Sequence, residues 1–140
     1  MLKLLVAIDE SDNALRGVEL VRRLAERGLD IQPVLCNVRK PVLSGEIGPV
    51  ATLEQAQAKR AEAAREAIAR AAGALAGMPR GHRVHEAEGD AADEIARAAV
   101  ELACDGIVIG RRGLGAVGSA VLGSVSARLL RISPIPVMVA

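Results

Sequence analysis

The sequence predicts an α/β fold: an open, parallel five-stranded sheet in the order 3-2-1-4-5, with helices on both faces. Three observations predict it. Strand-like and helix-like segments alternate along the 140 residues, which requires right-handed crossovers between parallel strands. Leu2–Ile8 and Gly106–Gly110 are apolar at both parities, as strands covered on both faces must be. Arg80–Glu88 carries only Val84 and Ala87 as apolar residues, which suits an exposed edge. An order with strands 1 and 4 inside and strand 3 outside satisfies both constraints.

Leu2 to Ile8 is the first strand. The polar break Asp9-Glu10-Ser11-Asp12-Asn13 is rich in helix-starting residues, and Asp9 and Ser11 are equal candidates to cap the first helix. Leu15, Val18, Val21 and Ala25 then recur at helical spacing up to Gly28, a helix stop. Ile31 to Val38 is the second strand. Residues 39 to 51 hold two prolines and two glycines and read as a loop, with residues 41 to 51 the candidate lid. An Ala-rich helix over Thr52–Ala76 has Leu53, Ala61, Ala64, Ile68, Ala71 and Leu75 on its apolar face. That stripe is half alanine and under four heptads long, so it fits packing on a sheet better than a coiled coil. After Arg80–Glu88, Gly89-Asp90 turns into a helix whose inner face is Ala92, Ile95, Ala99 and Leu102. Gly106–Gly110 leads into a glycine-rich loop, then a helix ending near Arg131 and a final strand within Pro134–Ala140.

The whole chain, residues 1–140, has the length of one domain, and 51% apolar with 25% charged residues is globular composition. Phe, Trp and Tyr are absent, which removes the stacking platform of single-strand nucleic-acid binding. Eighteen basic against 17 acidic residues lacks the charge excess of a duplex binder. Nucleic acid is therefore not an expected partner. Cys36 and Cys104 are too few for a disulfide framework or a four-cysteine zinc site and read as inert buried thiols. The opening apolar run meets Asp9 too early for a secretory signal, and no stretch is long and apolar enough to span a membrane. The expected location is the cytoplasm, with no membrane partner.

In the order 3-2-1-4-5 the winding reverses between strands 1 and 4, and a ligand crevice belongs outside their carboxyl ends. Asp9 and Gly110-Arg111-Arg112-Gly113 lie there. Gly110, Gly113, Gly115, Gly118 and Gly123, followed by Ser124 and Ser126, form a segment whose backbone amides can meet a ligand without a Cβ in the way. Such amides at a helix N-terminus suit an anion, and phosphate is the natural one. Gly118 to Ser124 has the glycine spacing of a P-loop but lacks its lysine. Gly113 to Gly118 matches a dinucleotide fingerprint. However, the strand ends at Gly110 and no acidic residue follows Asp105 to hold a ribose.

Gly110, two residues, Gly113, nine residues and Gly123-Ser124 resemble the nucleotide-binding signature of the universal stress protein family. Val6-Ala7-Ile8-Asp9-Glu10-Ser11 is similar to its first strand and Asp-x-Ser turn, and Glu88–Ile95 to its third strand-to-helix junction. Asp105–Gly110 and Pro134–Val139 resemble the approach to its glycine loop and its closing strand, so the likeness runs the length of the chain. The resemblance implies a Rossmann-like fold of the adenine nucleotide alpha-hydrolase type and binding of ATP, with Mg2+ able to bridge its phosphates. By position it implies that Ala7 and Asp9 meet ribose and adenine, and that Val38 contacts adenine through its backbone. It further implies that Gly110, Gly113, Gly123, Ser124 and Val125 wrap ribose and phosphates. Ile109, Arg111 and Ser126 complete the candidate nucleotide-binding set. Arg111 and Arg112 depart from the small hydroxyl residue that the family often has first, and a guanidinium there could grip phosphate or fold over the site.

Bland alternatives exist for each residue: capping for Asp9 and Ser124, close packing for the glycines, solvated charge for the arginines. His82 and His85 differ in strand parity and point to opposite faces, which argues against a metal. No nucleophile–base constellation is identifiable, so no catalytic residue is assigned. Ile135 to Ala140 is uncharged and β-prone at an edge, a hazard relieved by pairing with a second copy through Pro136, Val137, Met138 and Val139. The resemblance implies the same dimer. The expected function is an ATP-binding homodimer acting as sensor or regulator in a stress response. Its rivals are a slow ATPase or phosphotransferase using Asp9 and Ser124, with weak autophosphorylation at most, and a nucleotide-independent interaction module.

Overall fold

The computed structural model describes residues 1–43, 45, 48, 52–111 and 122–140. Along these residues β1 (Leu2–Ala7), α1 (Ala14–Glu26), β2 (Ile31–Arg39), α2 (Leu53–Ala74) and β3 (Arg83–Glu88) follow in turn. Then come α3 (Ala91–Glu101), β4 (Gly106–Ile109), α4 (Ser124–Ile132) and β5 (Val137–Val139). The strands form one sheet in the order β3-β2-β1-β4-β5, with every neighbouring pair parallel. This is the predicted α/β architecture and order. Most of the candidate lid between β2 and α2 lies outside the described residues.

Strand alternation sorts the apolar residues into two layers. Leu4, Val6, Ile8, Leu35 and Val108 meet Val18 and Val21 of α1, Ala67 and Ala71 of α2, and Leu75. Leu5, Ala7, Val34, Cys36, Ile107 and Ile109 meet Ala92, Ile95 and Ala99 of α3 and Leu129 of α4. β1 and β4 are buried on both faces because helices cover both, which is why their sequences show no alternation. Gly28 follows the end of α1 as expected, with φ of +97°, a conformation that an L side chain rarely adopts.

Two strand boundaries and one buried face differ from the sequence reading. β3 starts at Arg83, because Arg80 turns back to pair with Asp30 and the Gly81 N–H donates to the Met78 carbonyl. β5 is confined to Val137–Val139; Pro136 lacks an N–H and serves only as acceptor for Ile107. Leu53, expected on the inner face of α2, is exposed, and Ala67 is buried instead. Both cysteines are buried, and desolvation pushes the Cys36 thiol up to about 12. Among the described residues no helix is long and apolar enough to cross a membrane, and no His, Cys, Asp or Glu cluster could hold a metal.

Candidate functional site at the switch point

The pairing of β1 with β4 ends at Val6 and Val108, while Ala7 still pairs with Cys36 and Ile109 with Val139 before the chains reach Asp9 and Arg111. Ile8 still donates to the Cys36 carbonyl, extending the β1–β2 ladder by one residue. Asp9 is half-buried, and its Oδ1 accepts from both the N–H and the hydroxyl of Ser11. This local turn leaves Asp9 and Ser11 without a side-chain capping role at α1. The cap position is Asn13, whose side chain makes no capping bond. The first amides of α1 are met instead by backbone: Ala14, Leu15 and Arg16 donate to the carbonyls of Ser11, Asp12 and Asn13.

β4 runs into this turn. A Cβ on Gly110 would lie 2.5 Å from the Asn13 carbonyl oxygen and 2.9 Å from its carbon, so only glycine permits the approach. The next residue closes the neck of the glycine-rich loop. The Arg111 N–H donates to the Ala140 carbonyl, and the Arg111 carbonyl accepts from the Gly123 N–H at 2.9 Å. The buried Ser126 hydroxyl lies 3.0 Å from the same carbonyl and 3.3 Å from that of Gly110. α4 therefore starts beside the end of β4, inside the switch point.

The start of α4 differs from those of α2 and α3. Thr52 and Gln55 form a capping box on α2, and the Asp90 side chain accepts from Asp93 N–H on α3. At α4 the cap is Gly123, with no side-chain bond and no acid in the first turn. Among the described residues the N–H groups of Ser124, Val125 and Ser126 have no acceptor. Three unpaired amides at the positive end of a helix dipole form an electropositive spot without a charged side chain.

These contacts bring the ends of β1 and β4 and the start of α4 together, and the family profile decides the kinship. The profile described as "Universal stress protein family" matches residues 1–140. The chain belongs to the universal stress protein family. A relative from Thermus aquaticus, "Universal stress protein in QAH/OAS sulfhydrylase 3'region", is 36% identical over 136 residues, covering 96% of this chain and 95% of the relative. Two solved universal stress proteins share the fold. One, from Arabidopsis thaliana with AMP bound, has a TM-score of 0.71 at 20% identity and covers 99% of this chain and 90% of that one. The other, in complex with cAMP, has a TM-score of 0.63 at 25% identity, with coverage of 99% and 95%.

The structure gathers most of the candidate residues named from the sequence at this one edge. Ala7 and Ile109 are buried in the layer under α3 and α4, and Val38 packs half-buried against it. Gly110 and Gly123 hold the loop neck, Arg111 and Ser124 are exposed, Val125 is half-buried, and Ser126 is buried with its hydroxyl on the neck. Gly113 lies outside the described residues, as do Arg112, Gly115 and Gly118. At the sheet edge Pro136 and Val139 are exposed, and Val137 and Met138 are half-buried.

One polar residue of this edge escapes the sequence reading. Asn37 of β2 is fully buried, its amide donating to the Ile8 carbonyl at 2.9 Å and its Oδ1 without a partner. The signal available was an amide inside the otherwise apolar run Val34-Leu35-Cys36-Asn37-Val38. It ties the end of β2 to that of β1 at the point where Asp9 begins.

Proposed function

We propose that this universal stress protein binds an adenine nucleotide at the α4 end of the switch point and works as a homodimeric sensor or regulator in a stress response. The observation that carries the reading is the uncapped first turn of α4 beside the ends of β1 and β4. Ser124, Val125 and Ser126 N–H groups supply donors for phosphate. The Gly123 N–H is engaged with Arg111, which moves the proposed phosphate contacts one residue into the helix. Ala7, Asp9, Val38, Ile109 and Gly110 would frame ribose and base, with the second Asp9 oxygen facing no protein partner among the described residues. Arg111 and Gly113 would flank the phosphates.

Two related structures hold AMP and cAMP, which supports a site for adenine, ribose and at least one phosphate. ATP, with Mg2+ bridging its phosphates, is the fuller form of the same proposal. Micromolar affinity corresponds to about −8 kcal/mol, within reach of adenine burial plus several charge-assisted hydrogen bonds. The proposed dimer pairs the outer edge of β5 with its copy.

Calorimetric titration of AMP and ATP, with and without Mg2+, tests the reading. Gly113→Ala and Gly123→Ala are expected to weaken binding about tenfold or more, while sedimentation still finds a dimer. Unchanged affinity in both variants would remove the site assignment, and a monomer at micromolar concentration would remove the dimer.

A further inference from the structure

A cluster of charged side chains lies at the β2–β3 end of the sheet. A cavity of about 410 Å³ opens between the ends of β2 and β3 and the first half of α2. Arg39, Lys40, Val42, Gln57, Ala58, Arg60, Ala61 and Glu88 line it. By alternation Arg39 shares a strand face with Leu35, which packs with α1 and α2, whereas Leu129 of α4 packs on the opposite face. Arg39 therefore belongs to the α1–α2 face of the sheet, and Leu129 of α4 to the other.

Its lining is electrostatically lopsided. Among the described lining residues Arg39, Lys40 and Arg60 accompany one carboxylate, Glu88, which sits level with Arg39 in the β2–β3 register. Arg60 is engaged structurally, since its Nη1 donates to the carbonyls of Lys40 at 2.6 Å and Pro41 at 3.0 Å and so fixes the rim to α2. Among the described residues Arg39 and Lys40 make no side-chain hydrogen bond or ion pair. The Arg39 Nε is moreover buried without an acceptor, although the residue as a whole is half-buried. Burying a donor unpaired is costly, and the rest of the Arg39 guanidinium has no protein acceptor among the described residues that would compete with an oxyanion. The apolar wall of Val42, Ala58 and Ala61 suits a carbon skeleton, and Gln57 and Glu88 offer hydrogen bonds to its hydroxyls.

We infer that this cavity is a second ligand site, for a small hydroxylated metabolite carrying one oxyanion group, phosphate or carboxylate. Arg39 and Lys40 hold the oxyanion, and Glu88 accepts from a hydroxyl. The volume falls in the range of small-molecule pockets.

The test uses the full chain, labelled with nitrogen-15, titrated with glycerol 3-phosphate, with lactate and with glycerol at millimolar concentrations. Saturable shifts at the amides of Lys40, Gln57, Ala58 and Glu88 with either anion but not with glycerol are expected. The stronger anion identifies the oxyanion. Arg39→Gln and Lys40→Gln should each weaken it about fivefold or more, and Glu88→Gln should abolish the advantage of a hydroxylated anion over acetate. Ala58→Leu, on the exposed face of α2, fills the cavity and should block binding without removing charge. The inference is overturned if no anion moves these amides, if glycerol moves them equally, or if Lys40→Gln and Ala58→Leu both bind as the parent does. It is also overturned if saturating AMP displaces the anion. Shifts confined to the α4 amides would speak only to the nucleotide site and would likewise overturn a second one.

Discussion

The N-termini of α1 and α4 both lie at the sheet's switch point, and neither has a side-chain cap. Their backbones differ. At α1 the chain coils tightly before the helix, so Ser11, Asp12 and Asn13 supply carbonyls to Ala14, Leu15 and Arg16. At α4 the chain arrives through the Arg111–Gly123 neck in an extended conformation, and the Gly123 ψ of 159° points the chain away from such a turn. One helix end is closed by its own chain and the other is open to an outside acceptor. On the proposed function, the path of the backbone next to the helix, and not the lack of a capping residue alone, is what suits a helix N-terminus to an anion.

The largest expected effect comes from the joint between the two ends. Gly110→Ala drives a Cβ against the Asn13 carbonyl, so either the α1 turn or the β4 end must move. A loss of about 1–3 kcal/mol is expected, read as a lower denaturant midpoint, together with weaker nucleotide binding. Gly123→Asp gives α4 the cap it lacks. It should stabilise the unliganded protein by about 0.5–1 kcal/mol and weaken AMP binding at least tenfold, because its carboxylate occupies the amides and repels phosphate. Equal weakening of folding and binding would mean that the open end is structural.

A smaller effect lies at the far edge of the sheet. Arg80 hydrogen-bonded to Asp30 holds that carboxyl below its ordinary value. Its contribution is therefore complete above the unfolded pKa of about 4 and vanishes as the pH falls through the folded pKa. In Arg80→Gln the thermal midpoint should fall less steeply between about pH 5 and 3 than in the parent, with AMP affinity unaltered. The smallest effect is at α1: Asn13→Ala removes a side chain that caps nothing, and nucleotide affinity should stay within about twofold of the parent.

Strand order was legible because it depends on local apolar patterning: Leu4-Leu5-Val6-Ala7 must be inside and Arg83–Glu88 can be outside. The location of the candidate site followed from that order. The features that escaped depend on partners distant in sequence. Arg80 leaves β3 for Asp30, fifty residues earlier, and nothing near Arg80 foretells it. Ser126 reads as a phosphate donor from its neighbours Gly123 and Ser124, whereas its hydroxyl holds the carbonyls of Gly110 and Arg111. Asn37 and Arg39 sit among strand residues whose pattern reports burial but not which polar atoms remain unpaired.

Amide hydrogen exchange, resolved by residue and followed as AMP is added, probes the contrast between the two helix ends without altering either. Slowed exchange is expected at Ser124, Val125 and Ser126, with Ala14 and Leu15 unchanged. Protection appearing at the α1 amides while those of α4 exchange as before would refute an anion site at the open end.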